Sequence, residues 1–324
     1  MRRRGLFAEW GLLLWLLSAQ AGCTWLGVRL RPDRPTPTLE EAAQAQQVIE
    51  QAQTAIDHGD MPSALAALQA QVARTPVSAV AQQRLGTVYL LEGRLGDAKA
   101  CFSRALKLDP DYVDALIGLG RVETQEGDAE AARRRFETAI EIDPHRSQAH
   151  FALGSVLQIM GRTDGALAEF FRTLEGEPNH LEASRCIAAI QLTRNQPEQA
   201  LSRLNQVLEL AADDAEARFL RGRAQLAIGH TAQAVADLNG AIRRSPGRAD
   251  IHYHLALALE ADHKPALALK AAQEALRIAP EFTLAQSLCN RLALAMAPIG
   301  SRRSATAKSA AASAGRDAPA DPPR

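Results

Sequence analysis

The sequence predicts an all-α solenoid of seven helix-turn-helix repeats, because two columns of residues recur every 34 positions. One column is proline in six of seven slots, with Ala212 completing the series: Pro76, Pro110, Pro144, Pro178, Pro246 and Pro280. Proline makes up 16 of 324 residues, so this spacing is not accidental. The second column is alanine without exception: Ala64, Ala98, Ala132, Ala166, Ala200, Ala234 and Ala268. A fixed period of this length indicates a repeat array.

Each unit has the pattern of two helices joined by a turn. In the second unit, Leu85 and Tyr89 share one helical face, Gly93 ends that stretch, and Ala98 and Phe102 recur at the spacing of a second helix. Glycine returns at the turn position of four further units, where it can end a helix in a left-handed conformation: Gly59, Gly127, Gly161 and Gly229. Proline then stops the second helix. The predicted units are 45–78, 79–112, 113–146, 147–180, 181–214, 215–248 and 249–282.

The second unit resembles the tetratricopeptide repeat (TPR) family through Leu85-Gly86, Tyr89, Ala98, Phe102, Ala105 and Pro110, and the next two units repeat the likeness. The resemblance implies a right-handed superhelix whose first helices line a concave face that holds an extended or helical peptide. Two features depart from the family pattern. Its tryptophan is absent, and the fifth unit carries Asn195 for glycine and Ala212 for proline. We expect a local irregularity in that unit without loss of the fold.

Four segments lie outside the repeats. We predict a signal segment at 1–22, a linker at 23–44 stiffened by prolines, a capping helix at 283–297 and a disordered Ala/Ser/Pro-rich tail at 298–324. In the capping helix, Leu284, Leu288 and Leu292 form one apolar stripe. From Ser301 onward the tail has no apolar residue larger than alanine, so burial cannot offset the entropy of ordering it.

The N-terminal segment has the order of an export signal. Three arginines precede an apolar run, and small residues then lead to Ala21-Gly22-Cys23. This ending resembles the bacterial lipoprotein signal, which implies that Cys23 carries a lipid anchor on an envelope membrane, with the repeats periplasmic or otherwise extracytoplasmic. Two alternatives stay open. Residues 10–28 carry no charge and are long enough to remain as a transmembrane anchor, and cleavage after Ala21 would release a soluble exported protein.

Charge and motifs argue against several function classes. The chain has 37 basic and 37 acidic residues, and its arginines are interspersed with acids, so no basic stripe indicates nucleic acid. No nucleophile lies near a base, and no glycine loop is suited to phosphate. His252 and His254 diverge on a helix and cannot share a metal. We therefore expect no enzyme activity, no cofactor, no metal and no small-molecule substrate.

The remaining candidate is a binding surface on the first helices. Two columns of those helices vary from unit to unit while the small residues do not, as expected if the variable positions face a ligand. The groove candidates are Ile117, Arg121, Phe151, Arg185, Phe219, Arg223, Leu226 and Tyr253. Aromatic and arginine side chains are frequent hot spots, so replacing Phe219 and Arg223 is expected to weaken binding and spare stability. The alternative is that Phe151 and Phe219 extend the core.

Together these features predict a membrane-tethered scaffold or adaptor that mediates protein–protein interaction in an envelope assembly. Its partner would be a protein or a peptide segment in the concave groove, and its N-terminus would contact the membrane. Two alternatives remain: an accessory subunit that positions a separate enzyme of polysaccharide or murein metabolism, and a membrane-anchored scaffold that faces the cytosol.

Overall fold

The computed structural model describes residues 39–297, in which fifteen α-helices follow one another and no strand occurs. The helices are α1 (Leu39–Asp57), α2 (Met61–Arg74), α3 (Ala79–Leu91), α4 (Leu95–Leu108), α5 (Val113–Gln125), α6 (Ala129–Ile142), α7 (Ser147–Ile159), α8 (Thr163–Gly176), α9 (Leu181–Thr193), α10 (Pro197–Leu210), α11 (Ala215–Ala227), α12 (Thr231–Arg244), α13 (Ala249–Ala261), α14 (Pro265–Ile278) and α15 (Thr283–Met296). The predictions for the signal segment, for Cys23 or residues 10–28 as an anchor, for the linker up to residue 38 and for the tail lie outside the described residues.

The helices form seven antiparallel pairs followed by α15. Each odd-numbered helix packs against the helix after it, and each pair packs against the next pair. From α3 to α14 the first helix of every pair has 13 residues and the second has 14. Helix α1 is longer, with 19 residues, and begins at Leu39 rather than at the predicted residue 45. The predicted all-α solenoid of helix pairs is confirmed.

The turns inside the pairs keep one conformation whether or not glycine is present. Gly127 has φ +86°, and the four other turn glycines, Gly59, Gly93, Gly161 and Gly229, have φ between +74° and +83°. Asn195 and His263 occupy the same slot with φ 56°. Asparagine enters the left-handed region at little cost because its short polar side chain bonds locally.

The irregularity expected in the fifth unit is absent. Helices α9 and α10 have the same lengths as their neighbours, and the loop that contains Ala212 keeps the usual bond, in which the Asp214 amide donates to the Ala211 carbonyl at 3.0 Å. Position 212 lies beyond the last helical residue. A proline is not needed there to stop the helix, because the helix has already ended. Alanine therefore preserves the turn.

In six of the seven pairs, the core contains a small residue on the first helix opposite a bulky residue on the second. Gly120 on α5 lies so close to Phe136 on α6 that a Cβ atom added to the glycine would approach the ring to 2.6 Å. Gly86 and Gly154 have the same relation to Phe102 and Phe170, at 2.9 and 2.8 Å. Each phenylalanine is at most 1 % exposed, so the ring fills the space that the absent side chain leaves.

In two pairs a smaller bulky residue is accompanied by a larger small one. Ala188 stands in the glycine position of α9, and the residue in the phenylalanine position of α10 is Leu204. Ala52 and Leu68 make the same exchange in the first pair. The exchange is not general, because the sixth pair keeps glycine with leucine (Gly222 and Leu238) and the seventh has alanine at both positions (Ala256 and Ala272). The unchanging alanine column lies beside it and is 0 % exposed in all seven units.

Helix α15 buries a different stripe from the one predicted. Leu288 and Leu292 are buried, but Leu284 is 56 % exposed. The buried face is completed by Ala285 and Cys289, which follow the spacing of three and four residues that a helix presents to its neighbour. Residues spaced by four and eight positions do not stay on one side of an α-helix. Leu284 therefore faces solvent while Leu288 and Leu292 are buried.

Replacing Ala132 with leucine should destabilise the array by roughly 1–3 kcal/mol, because the added atoms have no space where helices meet. Urea denaturation followed by circular dichroism measures the change. Ala168→Leu is the matched control, since Ala168 is exposed on α8 and should change stability by less than about 0.5 kcal/mol. Equal losses in both variants would show that the alanine column does not mark the helix contacts.

Candidate binding groove

The first helices lie on the inner side of the array. Helix α5 contacts α3 and α7 directly, and α11 contacts α9 and α13. The second helices are instead separated from one another by the first helix of the following pair. Closer approach of the first helices makes their side the concave one, as the resemblance implied.

A cavity of about 290 Å³ opens on this inner surface where α7, α9 and α11 meet. Its apolar lining includes Phe151, Cys186 and Leu220, one from each helix. Glu182, Arg185 and Glu216 supply charge at its border. An apolar site with a few charged groups around it is typical of pockets that hold one side chain of a ligand. We call it the inner pocket.

Phe151 presents part of its ring to the inner pocket. Its ring centroid lies 5.7 Å from that of Phe170 in the core and 4.7 Å from that of His180. The residue remains half-buried. Phe151 is therefore held in place by aromatic contacts on one side and keeps apolar area for a ligand on the other.

Arg185 is fixed at the border of the inner pocket by two acids. Its guanidinium donates to Asp214 at 2.6 Å and lies 3.6 Å from Glu182. Asp214 also accepts from the Ala217 amide at 2.9 Å and so caps α11. The cap and the ion pair orient the same carboxylate, which makes Arg185 a rigid part of the surface.

Two of the predicted groove residues are in the core instead. Phe219 is 4 % exposed and Ile117 is 3 % exposed. The guanidinium carbon of Arg248 lies 4.9 Å from the Phe219 ring centroid, and that of Arg223 lies 5.5 Å from it. These long side chains cover the ring, so the alternative that Phe219 extends the core is correct. Phe219 and Ile117 form the floor of the groove and offer almost no surface to a ligand.

Leu226 and Tyr253 are half-buried at the edge of the core. The Tyr253 ring lies 5.1 Å from Phe282 and 5.3 Å from His254, between centroids. Both residues extend the inner surface beyond the inner pocket toward the C-terminal end of the array.

Arg121 and Arg223 occupy the same column on α5 and α11. Arg121 is exposed and Arg223 is half-buried. Crowding by the concave surface lowers the pKa of both guanidinium groups, and nearby acids oppose this effect only in part. Such burial disfavours the charged form of a cation.

His254 is a neutral imidazole beside Arg223. Its pKa is lowered to about 4, chiefly by burial and also by the charge of Arg223, while Asp250 acts in the opposite direction. At neutral pH the ring therefore contributes no charge to the groove. Its role is packing, since its centroid lies 5.5 Å from that of Phe219.

Sequence reasoning missed the ion pairs that join neighbouring units. Arg146 pairs with Asp114, and Arg248 pairs with both Glu216 and Asp250. Each arginine precedes a first helix and reaches back 32 residues to an acid near the start of the previous first helix. These pairs could have been predicted from the sequence, because in each case an arginine follows an acid by this same interval.

A second depression, of about 710 Å³, lies next to the inner pocket at the loop between α10 and α11. Arg185 and Glu216 line both, and Arg248 closes the far side. The surface available to a ligand thus runs from Phe151 to Arg248.

Residues 39–297 do not supply a membrane span or a metal site. No helix there is long and apolar enough to cross a bilayer, and no cluster of histidine, cysteine and acidic residues there has a geometry suited to a metal. Cys101, Cys186 and Cys289 are free thiols.

Phe219→Ala should lower the free energy of unfolding by roughly 3–5 kcal/mol, because it empties a buried site. Phe151→Ala should cost clearly less, since part of that ring is already in solvent. Urea denaturation of the two variants gives the comparison. A stable Phe219→Ala protein would return Phe219 to the set of ligand-contacting residues.

Comparison with known proteins supports the fold that the geometry shows. One tetratricopeptide repeat family model matches residues 89–153 and 123–190, and a second matches residues 49–98, 188–229 and 220–281. Together the matches run without a break from residue 49 to residue 281. A search of curated proteins gave no match.

Solved structures share the architecture at low sequence identity. The Cut9 and Hcn1 hetero-tetramer of the APC/C has a chain 21 % identical, with a TM-score of 0.61, over 71 % of this chain and 48 % of that one. PilF of Pseudomonas aeruginosa is 17 % identical, with a TM-score of 0.60, over 66 % and 97 % of the respective chains. YrrB, described as a TPR protein with an unusual peptide-binding site, is 22 % identical, with a TM-score of 0.50, over 57 % and 96 %. The chain belongs to the tetratricopeptide repeat family, whose members are generally non-enzymatic scaffolds for protein–protein interaction.

Proposed function

We propose that this protein is a membrane-tethered scaffold that binds a peptide segment of a partner along its inner surface, within an assembly of the cell envelope. The main observation in support of this proposal is the inner pocket. It combines an exposed part of Phe151 with rigidly held Arg185, and three consecutive first helices contribute to it. A site shared by three repeats suits an extended segment that lies across them.

Support for a peptide as the partner comes from shape and chemistry. The surface from Phe151 to Arg248 is long and shallow rather than enclosed, which favours a chain over a small molecule. Its apolar floor and charged border match the usual arrangement of a protein interface, where a buried centre is surrounded by polar groups. The peptide-binding site for which YrrB is described shows that such a fold can serve this purpose.

The tether is proposed from the N-terminal sequence. Lipidation of Cys23 would place the chain on an envelope membrane, and Pro32, Pro35 and Pro37 would keep the repeats away from it, because proline-rich linkers are extended. The repeats would then be periplasmic or otherwise extracytoplasmic.

Site-specific photo-crosslinking in native cells tests the groove. A photoreactive residue at Gln158, which lines the inner pocket, should capture a partner, and the added change Phe151→Ala should weaken that capture several-fold. The same probe at Ala168, exposed on α8, is the control.

Capture from Ala168 but not from Gln158 would move the binding site to the outer face and contradict the proposal. Mass spectrometry of the captured protein separates the remaining alternatives. An enzyme of polysaccharide or murein metabolism would identify the chain as an accessory subunit.

Cys23→Ser should move the protein from the detergent phase to the soluble exported fraction and abolish labelling by a fatty-acid analogue, because lipidation requires the thiol. Cys101→Ser is a matched control, since Cys101 is buried in the repeats and should not affect fractionation. A Cys23→Ser protein that stays in the membrane at its precursor mass would indicate a transmembrane anchor.

A further inference from the structure

The acids at the edge of the groove already have partners. Asp114 is paired with Arg146, Glu216 with Arg248, and Asp214 with Arg185. These carboxylates accept charge-assisted hydrogen bonds from arginines of the same surface. A cationic ligand would have to compete with three existing ion pairs, so the edge is poorly suited to basic segments.

Arg121 and Arg223 lack such partners. Within the described part of the chain, neither guanidinium donates a hydrogen bond to a carboxylate or lies within 4.0 Å of one, and Arg223 lies beside the rings of Phe219 and His254. Neither cation therefore has a carboxylate partner of its own, and partial desolvation lowers the pKa of each. The other first-helix arginines either pair with an acid or, like Arg84, donate to a side-chain amide.

These two arginines flank the inner pocket. Both lie in the first-helix column of Ala189, which lines the inner pocket; Arg121 is two units before Ala189 and Arg223 is one unit after it. Glu182 and Glu216 also line this pocket, on α9 and α11. The apolar cavity therefore lies between two positive charges, one on α5 and one on α11.

We propose that the groove recognises an acidic peptide segment, in which side-chain carboxylates on both sides of one bulky apolar residue pair with Arg121 and Arg223 while that residue fills the inner pocket. This inference rests on the proposed function and names the chemistry of its ligand. Internal acidic side chains fit better than a C-terminal carboxylate, because a single terminal group can satisfy only one of the two arginines. Pairing would give each guanidinium a charged hydrogen-bond acceptor, which it lacks among the described residues.

The test uses the full chain and a displayed library of short random peptides with blocked C-termini. Selected peptides should be enriched in aspartate and glutamate around an apolar residue. The same peptides, made as amidated fluorescent probes, should bind at least about tenfold more weakly to Arg121→Gln/Arg223→Gln, since a charge-assisted hydrogen bond is lost at each position. Rising salt should weaken binding to the unchanged protein.

Arg134→Gln/Arg243→Gln is the matched control. It removes the same charge from exposed arginines on second helices and should change affinity by no more than about twofold. Peptides with asparagine and glutamine in place of the acids should bind as weakly as the acidic peptides bind to the groove variant.

Each remaining result would overturn the inference. The selected peptides could depend on Phe151 but be neutral or basic, or could bind Arg121→Gln/Arg223→Gln as tightly as the unchanged protein. Either result would refute the acidic ligand and leave the groove as the binding site. Selection of peptides that bind equally well to Phe151→Ala, or of none at all, would refute both the inference and the proposed function.

Discussion

The contact between a small residue on the first helix and a bulky residue on the second determines how each repeat is built. Where Gly120 meets Phe136 there is no space for one more carbon atom, so the distance and angle between α5 and α6 are fixed by the pair of residues. The alanine column then allows the next pair to pack at the same distance. Every repeat packs its two helices through residues at the same positions. The spacing of the helices is therefore similar along the array, and the inner surface has a defined shape.

This arrangement separates stability from recognition. The columns that pack the helices stay buried and apolar in every unit, and in some units they vary together, as Ala188 and Leu204 do. Positions that face the groove have no such constraint, and they carry phenylalanine, arginine or alanine in different units. The inner pocket arises where the half-exposed ring of Phe151 on α7, the fixed Arg185 and the small Ala189 on α9, and Leu220 on α11 come together. Specificity thus depends on the few positions that break the repeat.

The sequence predicts the fold well because its periodic signal is repeated seven times. Asn195 and Ala212 did not disturb the structure, since each can adopt the backbone conformation of the residue it replaces. The groove was predicted only in part. Phe151 and Phe219 share a column, but the long side chain of Arg248 covers Phe219, whereas the shorter His180 in the equivalent place leaves part of Phe151 free. Coverage of this kind depends on contacts between units, which a column alone does not show.

A double-mutant cycle on Gly120 and Phe136 tests most directly whether this contact holds the array together. Gly120→Ala and Phe136→Leu should each destabilise the protein, the first by overpacking and the second by leaving a cavity. The double variant should recover much of the loss, because it reproduces the alanine and leucine combination of the fifth unit, with a coupling free energy of about 1–2 kcal/mol in urea denaturation. Additive losses, with no coupling beyond about 0.5 kcal/mol, would show that the two positions are independent and that another contact sets the geometry of the repeat.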